Sequence, residues 1–474
     1  MKKTEIRNRI IRKSKGKAHT VFKSMIKDPI KLDILNIAWP VLMELVLSSV
    51  FGMIDMMMLG NISDNTYAAA AVSSVGLTNQ PLFLALSVVQ ALNVGGTAMI
   101  ARYYGAGEKN RMENVLKHVM LFGLFFSIPI SAFGLLNAEN ILTFMGGEPH
   151  AVAIGASYFR VICISYLFQS FNISITGALR GIGQTQIPMR INILVNFLNV
   201  IGNAILIYGL LGIPALGVVG AATSTAAANL IASILLVRFL MKGNSELPFS
   251  FKRKFKFDKL TLKNLVRIGM PSAIEQLILR AGVILFIQIV SSLGTVIFAA
   301  HQIGMNILSL SFTTGQAFGI SSSSLVGRSL GKKDTDLAAE YAKKTSAMGA
   351  ITGLIVGTAL FIGSEFFVGL YSNDSAIIEN ASLALKIIAI VQPFQTHQLI
   401  VAGSLRGAGD TIFPLVSTFA GVLIVRVISA YFFVFVLDFG LLGAWLGIIL
   451  DQFLRWVLVG ARFKSGKWKD IVIN

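Results

Sequence analysis

Two stretches decide the architecture: Gly177-Ala-Leu-Arg-Gly-Ile-Gly-Gln-Thr-Gln-Ile-Pro188 and Gly403-Ser-Leu-Arg-Gly-Ala-Gly-Asp-Thr-Ile-Phe-Pro414. Seven of their twelve positions are identical at an offset of 226 residues. The same offset pairs Gln90 with Gln316, Arg102 with Arg328 and Gly105 with Gly331. An offset of 231 pairs Pro40 with Pro271 and Glu44 with Glu275, so Trp-Pro-x-x-x-Glu in one half matches Met-Pro-x-x-x-Glu in the other. Markers that fall in the same order along both halves identify an internal duplication.

Composition states what solvent the two copies face. Of 474 residues, 54% are hydrophobic and 14% are charged, where a soluble chain carries roughly 25% charged residues. The mean hydropathy is +0.71. The 44 glycines suit packed membrane helices, whose backbones approach closely. The net charge of +18 does not form the basic face of a soluble domain that nucleic acid requires, so no nucleic-acid partner is expected. Cys163 is the single cysteine and supports neither an internal disulfide nor a thiolate metal cluster.

A bilayer core needs about 20 apolar residues per helix, and twelve such runs are readable, from 34–58 to 441–462. The gaps at 59–66, 137–150, 211–214, 293–295, 366–379 and 437–440 contain no Lys or Arg. The alternate gaps carry Arg102, Lys109, Arg111, Arg180, Lys252, Arg253, Lys254, Lys256, Arg328, Lys332, Lys333, Lys343 and Arg406. By the positive-inside rule both termini are cytoplasmic and the span count is even.

The expected fold is therefore an all-α polytopic membrane protein. Its 12 transmembrane helices form two six-helix lobes related by a parallel pseudo-two-fold axis. The expected divisions are a basic cytosolic arm at 1–33, an N-lobe at 34–240, a cytosolic linker at 241–263, a C-lobe at 264–463 and a cytosolic tail at 464–474. The arm holds eleven basic residues and leads into a run too long for a cleavable signal. It suits contact with anionic lipid headgroups.

Ionisable groups inside spans cost about 2.5–3.5 kcal/mol on insertion scales, which makes the few that occur candidates for function. Asp55 lies in the outer half of the first span; its alternative reading is an interfacial side chain reaching water. Asn192, Asn196, Asn199 and Asn203 fall on one face of the fifth span. Lipid cannot satisfy four amides, so this stripe faces protein or water. It serves either as helix–helix glue or, at Asn199 and Asn203, as cleft lining. Thr223, Thr225 and Asn229 are polar on the sixth span. Glu44 and Glu275, matched in the two halves, suit an architectural role near the inner gate; Glu275 also reads as a protonatable carboxylate. Asn196, Glu275, Arg280, Gln302, Asn306 and Gln395 are candidate cleft residues, and Arg280 is read as the one secure mid-span basic residue. No Walker A loop, metal spacing or nucleophile motif is present.

The duplicated Leu-Arg-Gly-x-Gly-x-Thr-x-x-Pro, the Gly-Thr-x-x-x-Ala-Ala-His-Gln run at 294–302 and the paired Pro-x-x-x-Glu resemble the multidrug and toxic compound extrusion (MATE) family, prokaryotic type, over about residues 34–463. The resemblance implies a monomeric multi-pass antiporter of the plasma membrane, not an enzyme. Such a protein exports amphipathic, cationic organic compounds in exchange for H⁺ or Na⁺, with no cofactor. It also implies a cation-coupling set of Asp55, Asn199, Asn203 and Thr225, with Na⁺ at Asp55, Asn199 and Thr225. Asn203 stands where the family pattern has Asp, which removes one carboxylate and weakens the case for Na⁺. The alternatives are a lipid-linked precursor flippase of the same architecture, which calls for a more cationic cleft, and an intramembrane enzyme. Labelling of epitopes placed at the two termini is expected to find both on the cytoplasmic side; termini on opposite faces would exclude a parallel duplication.

Overall fold

A computed structural model describes residues 28–243, 245–250, 253 and 255–473. Residues 1–27 of the basic arm, and Lys252 and Lys254 of the linker, lie outside the described residues. Among the described residues there are twelve helices long and apolar enough to cross a membrane. In the N-lobe they are α1 Pro29–Gly60, α2 Asn65–Gly105, α3 Lys109–Leu136, α4 Pro149–Gly181, α5 Gln186–Tyr208 and α6 Gly217–Met241. In the C-lobe they are α7 Lys259–Ser291, α8 Thr295–Gly331, α9 Thr335–Gly369, α10 Ser375–Ala408, α11 Ile412–Val436 and α12 Gly440–Lys464. A short helix at Ala138–Phe144 joins α3 to α4.

Two boundaries differ from expectation. The first helix begins at Pro29, so residues 29–33 belong to it and not to the arm. Asp28 caps that helix through Ile30 N (3.1 Å) and is ion-paired to Lys344 (2.9 Å), which starts the helix before its apolar run. Similarly α7 begins at Lys259, inside the expected linker, because Asp258 caps Leu260 and Thr261. The cap carboxyls lie at the membrane margin. The Thr66 hydroxyl holds Asp64 below the usual carboxylate range, the Thr261 hydroxyl does the same to Asp258, and backbone N–H groups add to both effects.

The duplication is visible as reciprocal contacts. A Cβ on Gly105 would stand 1.9 Å from the Arg328 carbonyl oxygen, and one on Gly331 would stand 2.0 Å from the Arg102 carbonyl oxygen. Residues 105 and 331, like 102 and 328, are matched by the repeat. Contact of i with j and of j′ with i′ is what a two-fold axis between α2 and α8 produces. Farther along, Gly95 packs on Leu265 and Gly269 packs on the Ala91 carbonyl. Glycine is required here because any side chain would hold the lobes apart.

These contacts lie toward the end of the bundle that carries Arg102, Arg180, Arg328 and Arg406. At the same end Ser321 Oγ donates to Ile34 O (3.2 Å), Ser324 Oγ to Gly181 O (2.9 Å) and Tyr341 OH to Asp33 (2.7 Å). The C-terminal segment adds a strap. Arg102 Nη1 donates to Ile471 O at 2.8 Å, Ile473 packs into an N-lobe apolar cluster, and Trp468 stacks on Phe463 of α12. Toward the opposite end, Gln302 and Asn306 of α8 are exposed, and lipid would leave their amides unsatisfied. The lobes thus close at the basic end and open at the other.

Each lobe fixes a buried glutamate with its own copy of the repeated arginine. Arg180 pairs with Glu44 at 2.9 Å, and Arg406 pairs with Glu275 at 2.8 Å. Asn192 on α5 also donates to Glu44, and Thr418, 226 residues later on α11, donates to Glu275 at 3.0 Å. Substituting Gly105 or Gly331 by Ala is expected to cost about 1–3 kcal/mol through overpacking and to loosen the basic end. Thermal melting, together with maleimide labelling of an Ala98→Cys reporter buried there, measures both effects. An unchanged melting temperature and an unlabelled reporter would show the seal does not depend on these glycines.

Candidate functional site

Asp55 sits one and a half turns from the open-end terminus of α1. Asn203 Nδ2 of α5 donates to Asp55 Oδ1 at 2.7 Å. The Asn199 amide, one turn earlier, satisfies both of its ends when its nitrogen faces the carboxylate. It then donates to Oδ1 and Oδ2 at 3.3 Å each and accepts from Thr225 N at 3.2 Å. Ser224 Oγ donates to the Asn199 backbone carbonyl at 2.9 Å. The helices can meet this closely because residue 202 is glycine: a Cβ there would lie 2.4 Å from Ser224 Oγ.

The electrostatics are unbalanced. Asp55 is half-buried and, among the described residues, forms no ion pair, whereas Glu44, Glu113 and Glu275 all do. Amide donors compensate a carboxylate only in part. Asn203 is 1% exposed, and its Oδ1 has no hydrogen-bond partner. The site therefore presents one net negative charge and a spare buried acceptor, which can receive a proton or hold a small cation among Asp55, Asn199 and Thr225. Ser224 belongs to this set and was not among the residues singled out from sequence. Its signal, a hydroxyl beside Thr225, is indistinguishable from any serine bonding its own helix.

The stripe on α5 divides by depth. Asn192 serves Glu44, Asn196 turns its amide back to Asn192 O at 2.7 Å, and Asn199 and Asn203 serve Asp55. Asn196 thus bonds within its own helix. Thr223 likewise bonds Val219 O of its own helix (2.8 Å).

Among the cleft candidates of the C-lobe, Gln302 and Asn306 are exposed on one face of α8. Lipid leaves an amide unsatisfied, so that face looks into the opening between the lobes. Arg280 is also exposed and reaches the other lobe, its guanidinium 4.6 Å from the Phe83 ring centre. Two candidates are corrected. Glu275 is 4% exposed and locked to Arg406 and Thr418, so it does not line the cleft. Gln395 is 1% exposed inside the C-lobe.

Arg280 is also not the sole mid-span basic residue. Arg426 of α11 and Arg455 of α12 are buried and share Asp451: Arg426 Nε lies 3.0 Å from Oδ2, and Arg455 Nε lies 2.8 Å from Oδ1. Arg426 is carried on a π-helical turn, Phe419–Arg426, and lies over Phe286, the residue matched to Asp55 by the offset of 231. This triad closes on its own carboxylate inside the lobe and does not form the cationic cleft surface that a pyrophosphate carrier calls for.

Comparison with known proteins agrees with the geometry. The MatE family model matches residues 40–205 and 271–432, one match in each lobe. A "Probable multidrug resistance protein NorM" of Thermotoga maritima is 30% identical over 93% of this chain and 93% of its own length. An "Uncharacterized transporter YisQ" of Bacillus subtilis is 30% identical over 94% of this chain and 98% of its own. A solved MOP superfamily transporter from Pyrococcus furiosus superposes with a TM-score of 0.85 at 22% identity, covering 93% of this chain and 97% of that one, and at that identity the likeness is one of fold. With two matched lobes, twelve spans and relatives aligned end to end, the chain belongs to the MatE family of membrane transporters.

Proposed function

We propose that this chain is a cation-coupled antiporter that exports amphipathic organic compounds carrying a positive charge, and that Asp55 is the residue where cargo and coupling ion compete. The observation that supports this reading is the unpaired carboxylate facing the opening between two lobes sealed at their other end. A single negative charge in a low-dielectric site binds one positive charge well and a second poorly. An organic cation and an incoming H⁺ or Na⁺ therefore exclude one another. Entry of the coupling ion from the open side releases cargo, and its departure on the other side resets the site, which is alternating access between two rocking lobes. The relatives named for multidrug resistance agree with a broad range of cargo.

On this reading the basic end is cytoplasmic, in keeping with the positive-inside rule, and the lobes as described are in the outward-facing state. The protein acts as a monomer in the cell membrane. Proton coupling needs only Asp55, and the amide at Asn203 leaves Na⁺ with fewer anionic ligands.

Asp55→Asn is expected to insert and melt normally yet lose dye efflux from vesicles under either a pH or a Na⁺ gradient. Efflux at the wild-type rate would sink the proposed exchange. Asn203→Asp places a second carboxylate beside the first. A bare Na⁺ is held by several oxygens at once, whereas a proton needs only one, so a second anionic oxygen donor is expected to raise efflux driven by a Na⁺ gradient relative to efflux driven by a pH gradient. A ratio that does not move would separate Asn203 from ion selection.

A further inference from the structure

Between the lobes lies a cavity of about 40 Å³, lined on one side by Phe83, Ser87 and Gln90 of α2 and on the other by Gln276 and Arg280 of α7. It is polar where the surrounding bilayer depth is apolar. Among the described residues Arg280 makes no ion pair, and what faces its guanidinium is the Phe83 ring. A cation–π contact offsets part of the desolvation of a guanidinium and none of its net charge. Two side-chain amides flank it. Neither Gln90 nor Gln276 is buried, and at this depth their exposure is to the opening and not to lipid.

We infer that this cavity is a subsite for a carboxylate group of the cargo, so that the preferred substrates are zwitterionic amphiphiles and not simple cations. The size fits: on this measure one water molecule needs about 10–15 Å³, so the cavity has room for a group of carboxylate size. The chemistry fits as well. A guanidinium presents parallel N–H donors that match two carboxylate oxygens, and amide nitrogens on both sides can donate to the same oxygens. A carboxylate seated there compensates Arg280, as a cargo amine compensates Asp55.

The depths of the two groups set the shape of the ligand. Asp55 is matched by the repeat to Phe286, six residues beyond Arg280 on α7. At 1.5 Å per residue the carboxylate subsite lies about 9 Å deeper toward the closed end than Asp55. A cargo with its acidic group leading, and its amine trailing by that depth together with the width of the opening, can engage both lobes at once. Because α2 and α7 belong to different lobes, the subsite exists only while they face each other across the opening. This inference rests on the export reading for the word cargo, but it concerns binding and stands on its own measurement.

The test is equilibrium binding to the purified protein in nanodiscs, read by fluorescence anisotropy. It uses two dyes that differ only at one group: a rhodamine bearing a free carboxylate and its methyl ester. Wild-type protein is expected to bind the free acid more tightly. Arg280→Gln is expected to reduce the acid-to-ester affinity ratio about tenfold, as loss of a charge-assisted pair predicts, and Arg280→Lys to retain part of the preference. Equal binding of the two dyes by wild type, no binding of either, or a ratio that Arg280→Gln leaves unchanged would each overturn the assignment. A failed efflux assay would not produce those results, since no gradient or turnover is involved.

Discussion

A charge that leaves water for the interior of a membrane protein must find its opposite there, and much of this structure follows from how that demand is met. Moving one ion unpaired into such a medium costs several kcal/mol even after relaxation. Glu44 and Glu275 meet the demand with Arg180 and Arg406, arginines from the repeated loop motif that follows α4 and α10. Each pair ties the middle of a lobe's first helix to the end of its fourth. Each is completed by a side chain from the fifth helix of the same lobe, Asn192 or Thr418. The two copies kept the ion pair and changed the third partner, which is the freedom expected when a carboxylate needs a donor and not a particular residue.

Against that background the unmet charges stand out. Asp55 in the N-lobe has amide donors and no cation, and Arg280 in the C-lobe has an aromatic ring and no anion. Both lie where the lobes diverge. Position 55 is Asp in one copy, and its match is Phe286 in the other, covered by a guanidinium that is itself committed to Asp451. After duplication the lobes have thus become opposite in polarity along the cleft while remaining alike in frame. A transporter that must bind and then release gains from leaving compensation to the ligand, because a site already neutralised has little to offer it.

The seal at the basic end obeys a different constraint, which is steric. Gly105 and Gly331 allow backbone to touch backbone across the two-fold axis, and no side chain fits at either position. Carbonyl acceptors for Ser321 and Ser324 and the strap held by Arg102 are then within reach. Small residues give helices in lipid the close van der Waals packing that water-driven burial cannot supply there. The seal is specific without being heavily charged, which suits contacts that must part in each cycle.

The helical framework was legible in the amino-acid order, because the bilayer removes alternatives. Apolar runs of span length can only be helices, basic gaps report sidedness, and matched motifs at 226 and 231 residues disclose the two lobes. Asp55 was legible for the same reason: a lone acid in such a run is costly and needs an explanation. Which charges were spoken for was not legible, since partners are far apart in the chain. Glu275 could still be read as a protonatable carboxylate until Arg406, 131 residues away, was seen to hold it. Arg426 could not be told from a cleft residue before Asp451, on the next helix, was found to hold it. Sequence states the cost of each buried charge, and only the packing of helices from distant parts of the chain decides whether that cost is met within the protein or left for a ligand.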